Sequence, residues 1–215
     1  MKFVLFLIFS LFIFLSVLLG GKKFRSTALY ALAIGGVVNA NFFHAGNYPI
    51  QIFGLPFGID SIIYTLFAFC VIVMCLKEGK KSAYLLSFSS IIAIMFSALM
   101  QLISDLLSKG SSTAVWSTFL NFTVSSVASV IAIIVMLEIL NLIKNKNPYL
   151  IMVLGIVIVS IINSCLYYPI ATIIMGRPEN ILTLLLTSLI GKCIALACAL
   201  ATLYFLNLFD NKTQK

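Results

Sequence analysis

With 215 residues, 62% of them hydrophobic and only 9% charged, the chain has more apolar surface than a core of this size can hide from water. The surplus has to face lipid, which excludes a soluble domain and makes this an integral membrane protein. The net charge of +8 would suit a nucleic-acid binder, but the basic residues lie in short loops, where they set membrane orientation, so no nucleic-acid partner is expected.

Seven stretches approach the roughly 20 apolar residues that cross a bilayer. They are 2–20, 26–45, 57–76, 83–107, 114–143, 149–175 and 181–208. Between them lie breaks rich in Gly, Pro, Asn and Lys, such as "KEGKKS", "SKGSST" and "KNKNP". The expected fold is an all-α polytopic membrane protein of about seven helices. Residues 1–20 form an N-terminal anchor, 21–208 a six-helix core and 209–215 a cytoplasmic tail. With the N-terminus outside, the inner side holds Lys22, Lys23, Arg25, Lys77, Lys80, Lys81, Lys144, Lys146, Lys212 and Lys215. The outer side holds only Lys2, Lys109 and Arg177, and ten against three gives an N-out, C-in orientation.

The first stretch, "FVLFLIFSLFIFLSVLL", is apolar around its whole circumference, as a peripheral lipid-facing helix would be, and no small-residue cleavage site precedes "GGKKFR". In the second, Asn39 falls roughly 20 Å from the inner face at 1.5 Å per residue, with Asn41 and His44 further out. Tyr48, Gln51 and Asp60 follow in the outer loop and at the start of the third span, where they would line an outer vestibule. His44, the sole histidine, is the one side chain whose ordinary pKa lies near neutrality. Gln101, Asp105 and Trp116 flank the next outer loop, where a Trp normally anchors at the interface.

Glu138 lies near the inner end of the fifth span, within reach of the interface or of Lys144 and Lys146, and is a candidate for proton coupling together with His44. Asn163 falls about 21 Å from the inner face in the sixth span, and Pro169 of "YYP" is expected to kink that helix. Lys192 lies about 16 Å into the last span, near mid-bilayer, the one basic residue that orientation does not explain. Its helical neighbours Ser188, Ala195, Ala199 and Thr202 are small or polar, so the ammonium should point into the bundle. An ionisable group at that depth is a functional-site hypothesis by default. The alternatives are a lysine that binds solute and one paired structurally with a carboxylate or carbonyls. For Asn39 and Asn163 the alternative to solute contact is interhelical hydrogen bonding.

Five cysteines lie inside apolar runs with no zinc-type spacing, as small apolar core residues would, so no metal or cofactor is expected. The chain has no P-loop, no HExxH and only one His, which argues against an enzyme.

From "LLGGKKFRSTALYALAIGGVVNANFFHAGNYPIQIFGLP" onward the sequence resembles the bacterial vitamin uptake transporter family, also called queuosine precursor transporters. The resemblance rests on Gly21–Lys22, on Asn39 or Asn41 before Phe53–Leu55, on Glu78–Ala83, on Ser129 and Ala132 of "SVASVIA", on Asn163 and on Lys192. It departs at the family's acidic pair, which falls on Ile72 and Leu76, at its Arg, near Val124, and at its Asp-Thr-Pro, at Ala199–Ala201. The resemblance implies a divergent transporter of a queuosine precursor or vitamin-like solute in the bacterial inner membrane.

The expected function is therefore transport of a small polar or heterocyclic solute bound near mid-membrane, with Lys192, Asn39, Asn163, Asn41, His44, Asp60 and Ser188 as binding residues. A membrane subunit that captures solute for an ATP-driven partner is the alternative, with Gly35, Gly36 and Ala40 as docking surface. A sensory or structural membrane domain is a third. The partners expected are lipid and solute, with a second copy of the chain or an ATPase left open.

Overall fold

The computed structural model describes positions 8, 11, 30, 31, 33–36, 38, 50–52, 55–57, 59–143, 147–174, 176 and 181–206. Its framework is five long helices: α1 (Ile59–Glu78), α2 (Lys80–Lys109), α3 (Thr113–Leu142), α4 (Pro148–Ile174) and α5 (Ile181–Leu206). A short antiparallel hairpin precedes them, β1 (Ile50–Ile52) against β2 (Leu55–Phe57), in the register Ile50 to Phe57 and Ile52 to Leu55. The described positions between 30 and 38 are helical, as are 8 and 11. Ile8 and Leu11 are exposed, and the remainder of the expected anchor lies outside the described residues.

The helix ends fall where turn chemistry requires. Gly79 separates α1 from α2 at φ +92 and ψ 171, a backbone conformation essentially restricted to glycine. Gly110 ends α2 at φ +71 and donates its N–H to the Leu106 carbonyl. Two residues on, the Ser112 hydroxyl caps α3 by accepting from the Val115 N–H at 3.3 Å. Asn147 accepts from the Tyr149 N–H ahead of α4, and Pro148 takes the first helical position, where its missing N–H costs nothing. Helix α4 runs through Pro169 to Ile174 as a single helix.

Successive helices run antiparallel, so the bundle has two ends. One carries the hairpin, whose second strand lies against α5; the other carries the Lys77–Lys81 turn and the α3–α4 connection. Helix α1 forms the axis. Between residues 62 and 74 every side chain but Tyr64 is buried, packed on by α2, α4 and α5. Ala33 is buried too, and Gly36 sits against Ile63 and Leu66, so the helical positions near 30–38 cover a further flank of α1. Tyr30 fixes that flank by donating to the Ser82 carbonyl at 3.1 Å.

Helices α2 to α5 turn apolar side chains outward. On α2, Leu85, Phe88, Ile92, Phe96, Leu99, Ile103 and Leu107 form one exposed stripe at spacings of three or four residues. Exposed Leu120, Ile131 and Ile134 on α3, Leu150, Leu154 and Ile161 on α4, and Leu182, Leu186 and Ile190 on α5 continue the apolar exterior. These four helices are long and apolar enough to cross a membrane. The fold is that of a multi-pass integral membrane protein. Cys165 and Cys193 belong to this exterior, whereas Cys70 and Cys198 are buried; the expectation of five core cysteines holds only for part of the set.

The interior divides along its length. Toward the lysine end it is largely apolar, with Ile72, Met74, Leu86, Ile133, Met136, Leu137, Ile151 and Met152 almost fully buried and only the hydroxyls of Ser87 and Ser90 of α2 among them. Helices approach closely there: a Cβ added to Gly155 of α4 would lie 2.6 Å from the Ile72 side chain and 3.2 Å from that of Leu140. Toward the hairpin end the same helices bury polar side chains instead.

Candidate functional site

The polar half is organised by one line on α3. Asn121, Ser125 and Ser129 follow one another at four-residue spacing, hence on one helix face, and all three are buried. Each meets a residue from another helix. Tyr167 of α4 donates its hydroxyl to Asn121 Oδ1 at 3.0 Å. Tyr64 of α1 shares a 2.8 Å hydrogen bond with Ser125 Oγ. Asn163 of α4 donates from Nδ2 to Ser129 Oγ at 3.2 Å. Tyr168 stacks edge-on against Tyr167, with ring centroids 5.0 Å apart.

Lys192 lies one step further across the bundle. It is 6% exposed, and its Nζ donates to Ser164 Oγ of α4 at 2.8 Å, between fully buried Ser164 and the wall of α5. The side chain thus faces the bundle, as its small neighbours require. On a helix a side chain leans toward the N-terminus, which carries the lysine stem toward the level of Ser188, one turn before it. Ser188 is 5% exposed and its Oγ makes no hydrogen bond. The neighbouring Thr187 satisfies its hydroxyl locally on the Thr183 and Leu184 carbonyls.

Three of the residues singled out from sequence are therefore gathered in this half: Lys192, Ser188 and Asn163, the last through its adjacent Ser164. Asn39, Asn41 and His44 lie outside the described residues; Asp60 opens α1, but its side chain is likewise outside the description. Gln101 donates to Asp105 Oδ2 at 3.3 Å near the hairpin end, and Asp105 is buried.

Glu138 belongs to the other end. Both of its carboxylate oxygens lie 2.7 Å from Lys80 Nζ, and Tyr84 donates its hydroxyl to Oε1 at 2.6 Å. Lys80 also lies 5.4 Å from the Tyr84 ring centroid. The carboxylate's partners among the described residues are thus on α2, across a helix contact; Lys144 and Lys146 lie outside the described residues.

Sequence reasoning passed over Asn121, Ser125, Tyr64 and Ser164. The i, i+4, i+8 recurrence of Asn, Ser and Ser in "NFTVSSVAS" is the signal that identifies the α3 line.

Comparison with protein-family models, with curated proteins and with solved structures finds no match. The class defined by the fold is a multi-pass membrane protein with a buried polar cluster in one half of its bundle.

Proposed function

We propose that this chain is a membrane transporter that binds a small polar or heterocyclic solute in the hairpin-side half of its bundle. The observation that carries this reading is Lys192, an ammonium buried 11 residues into α5, held by Ser164 amid hydroxyls and amides from α3 and α4. A charge at membrane depth costs a few kcal/mol, and lipid-embedded helices associate well enough through packing alone. Transporter substrate sites lie near the bilayer midplane, the depth that Lys192 has in α5.

The resemblance to the vitamin uptake and queuosine precursor transporters belongs to the same reading. Three positions that carry it, Ser129, Asn163 and Lys192, come from three different helices and lie in one buried polar half. The position of the family's first acid is Ile72, fully buried in the apolar half, which favours a divergent solute. The N-out orientation with seven spans, and residence in a bacterial inner membrane, complete the proposal and place the hairpin end outside. The role is transport, without catalysis.

The test has two steps. A thermal-shift screen of the purified chain against deazapurines, vitamins and nucleobases identifies a stabilising compound, because a ligand of the native state raises apparent stability. Uptake of that compound into liposomes containing this chain alone is then compared between wild type and Lys192→Met. Loss of uptake in a folded variant is the expected result; undiminished uptake overturns the reading. Uptake that appears only with a co-purified ATPase would make the chain the capture subunit of an ATP-driven system.

A further inference from the structure

Helix α2 is the least enclosed of the four spanning helices: 28% of its most apolar stretch is buried, against 50%, 44% and 39% in α3, α4 and α5. Its exposed stripe is headed by a charge. Lys81 is exposed four residues before Leu85, on the same face, and Phe88, Ile92 and Phe96 follow at three- or four-residue steps. From Leu85 to Phe96 the stripe is roughly 16 Å long, close to half of a hydrocarbon core roughly 30 Å thick. Lys81 stands roughly 6 Å further out, within a headgroup layer about 5–8 Å deep.

The neighbouring lysine is committed elsewhere. Lys80 and Tyr84 turn toward α3 and share the Glu138 carboxylate. At the end of α1, exposed Lys77 and Glu78 offset each other in net charge. Over the whole turn three lysines therefore face two glutamates, and Lys81 is the cation in excess, paired with no carboxylate among the described residues. A cation in the first turn of a helix also opposes the helix dipole, and that turn of α2 holds no acidic residue. Helix stability thus gives no reason for Lys81.

The side chains below it indicate what covers this face. Between Lys81 and Ile103 every exposed residue of α2 is Leu, Phe, Ile or Met. Helices that pair in a membrane select small residues at their contact, so acyl chains suit the stripe better than a second copy of the chain. We propose that α2 carries a site for one anionic phospholipid, its phosphate on Lys81 and an acyl chain along Leu85, Phe88, Ile92 and Phe96. A zwitterionic lipid brings its own cation beside the phosphate and leaves the surplus charge of the turn in place, whereas an anionic headgroup cancels it. The inference does not depend on the transport reading.

The purified full chain in detergent micelles is titrated with phosphatidylglycerol or with phosphatidylcholine of the same acyl chains, and the lipid retained per chain is counted by native mass spectrometry. One phosphatidylglycerol is expected to be retained in preference to phosphatidylcholine. Raising salt from about 0.1 M to about 1 M should remove that preference, because the screening length falls from about 10 Å to about 3 Å. Lys81→Gln, a change at an exposed position, should weaken the apparent Kd for phosphatidylglycerol roughly fivefold, the usual worth of one lysine near an anionic surface, and leave phosphatidylcholine unchanged. Lys81→Arg should keep the wild-type preference, and Phe88→Ala should lower retention of both lipids. Equal retention of the two lipids, or a preference undiminished in Lys81→Gln, overturns the proposal. Displacement of phosphatidylglycerol by equimolar inorganic phosphate also overturns it, since the acyl chain would then contribute nothing. So does a lipid-free dimer dissociated by Ile92→Asn, which would put a second copy on the stripe.

Discussion

The two halves of the bundle are built from the same helices and differ in what they bury. At the lysine end α1, α3 and α4 meet through Ile72, Leu140 and the bare backbone of Gly155, in contact close enough that one added carbon collides. At the hairpin end α1, α3, α4 and α5 meet through Tyr64, Ser125, Asn163, Ser129, Ser164 and Lys192. In lipid the first arrangement suffices for cohesion, since close packing drives helix association there. The second adds modest hydrogen bonds at the cost of desolvating a charge. The difference teaches that the halves are joined by different means: one by close apolar contact, the other by hydrogen bonds between helices that enclose a buried charge.

That comparison can be broken by substitution. The largest stability loss is expected from Gly155→Leu, which drives a branched side chain into Ile72 and Leu140 and should cost about 3 kcal/mol or more. A collapse in the yield of monodisperse protein and a lowered Tm in detergent would register it. Met136→Ala, which hollows the same half at a 0% exposed position, should lose about 2–3 kcal/mol by the same measurement. Tyr167→Phe removes the bond to Asn121 and should cost only about 0.6 kcal/mol, the usual worth of an interhelical hydrogen bond in a bilayer. The smallest effect is expected for Lys192→Met, within about 1 kcal/mol of wild type in either direction, because the lost bond to Ser164 is offset by relief of a buried charge. If Lys192→Met proved as costly as Met136→Ala, the polar half would be structural and the comparison would fail.

Much of the fold is legible in the sequence because helix breaks in membranes rely on few residue types. Gly79, Gly110, Ser112 and the Asn147–Pro148 pair stand where apolar runs stop, and the helices begin and end within about three residues of those punctuation marks. The depth of Lys192 and its small-residue face follow from helical periodicity alone. What the sequence hides is which helix is central. Helix α1 is less apolar than α4 or α5, although it is enclosed while they expose leucines and isoleucines, because lipid and protein interior select the same side chains. Pairings across helices are hidden for the same reason: Glu138 has lysines close by in its own chain direction, but the packing of α3 beside α2 delivers Lys80 and Tyr84 to it. Ser125 and Ser129 look like ordinary helix hydroxyls until Tyr64 and Asn163 arrive from elsewhere.

The enclosure of α1 also has a consequence for how the protein is made. This helix leaves the ribosome before α2, α4 and α5, so of its final neighbours only the helical positions near 30–38 are made before it. Each later arrival replaces lipid on one flank, and α5 closes the bundle last. A nascent chain halted before Ile181 holds every residue of the Tyr64–Ser125 and Asn163–Ser129 pairs but leaves α1 open on the α5 side, so the arrival of Lys192 and the sealing of the axis are one event in assembly.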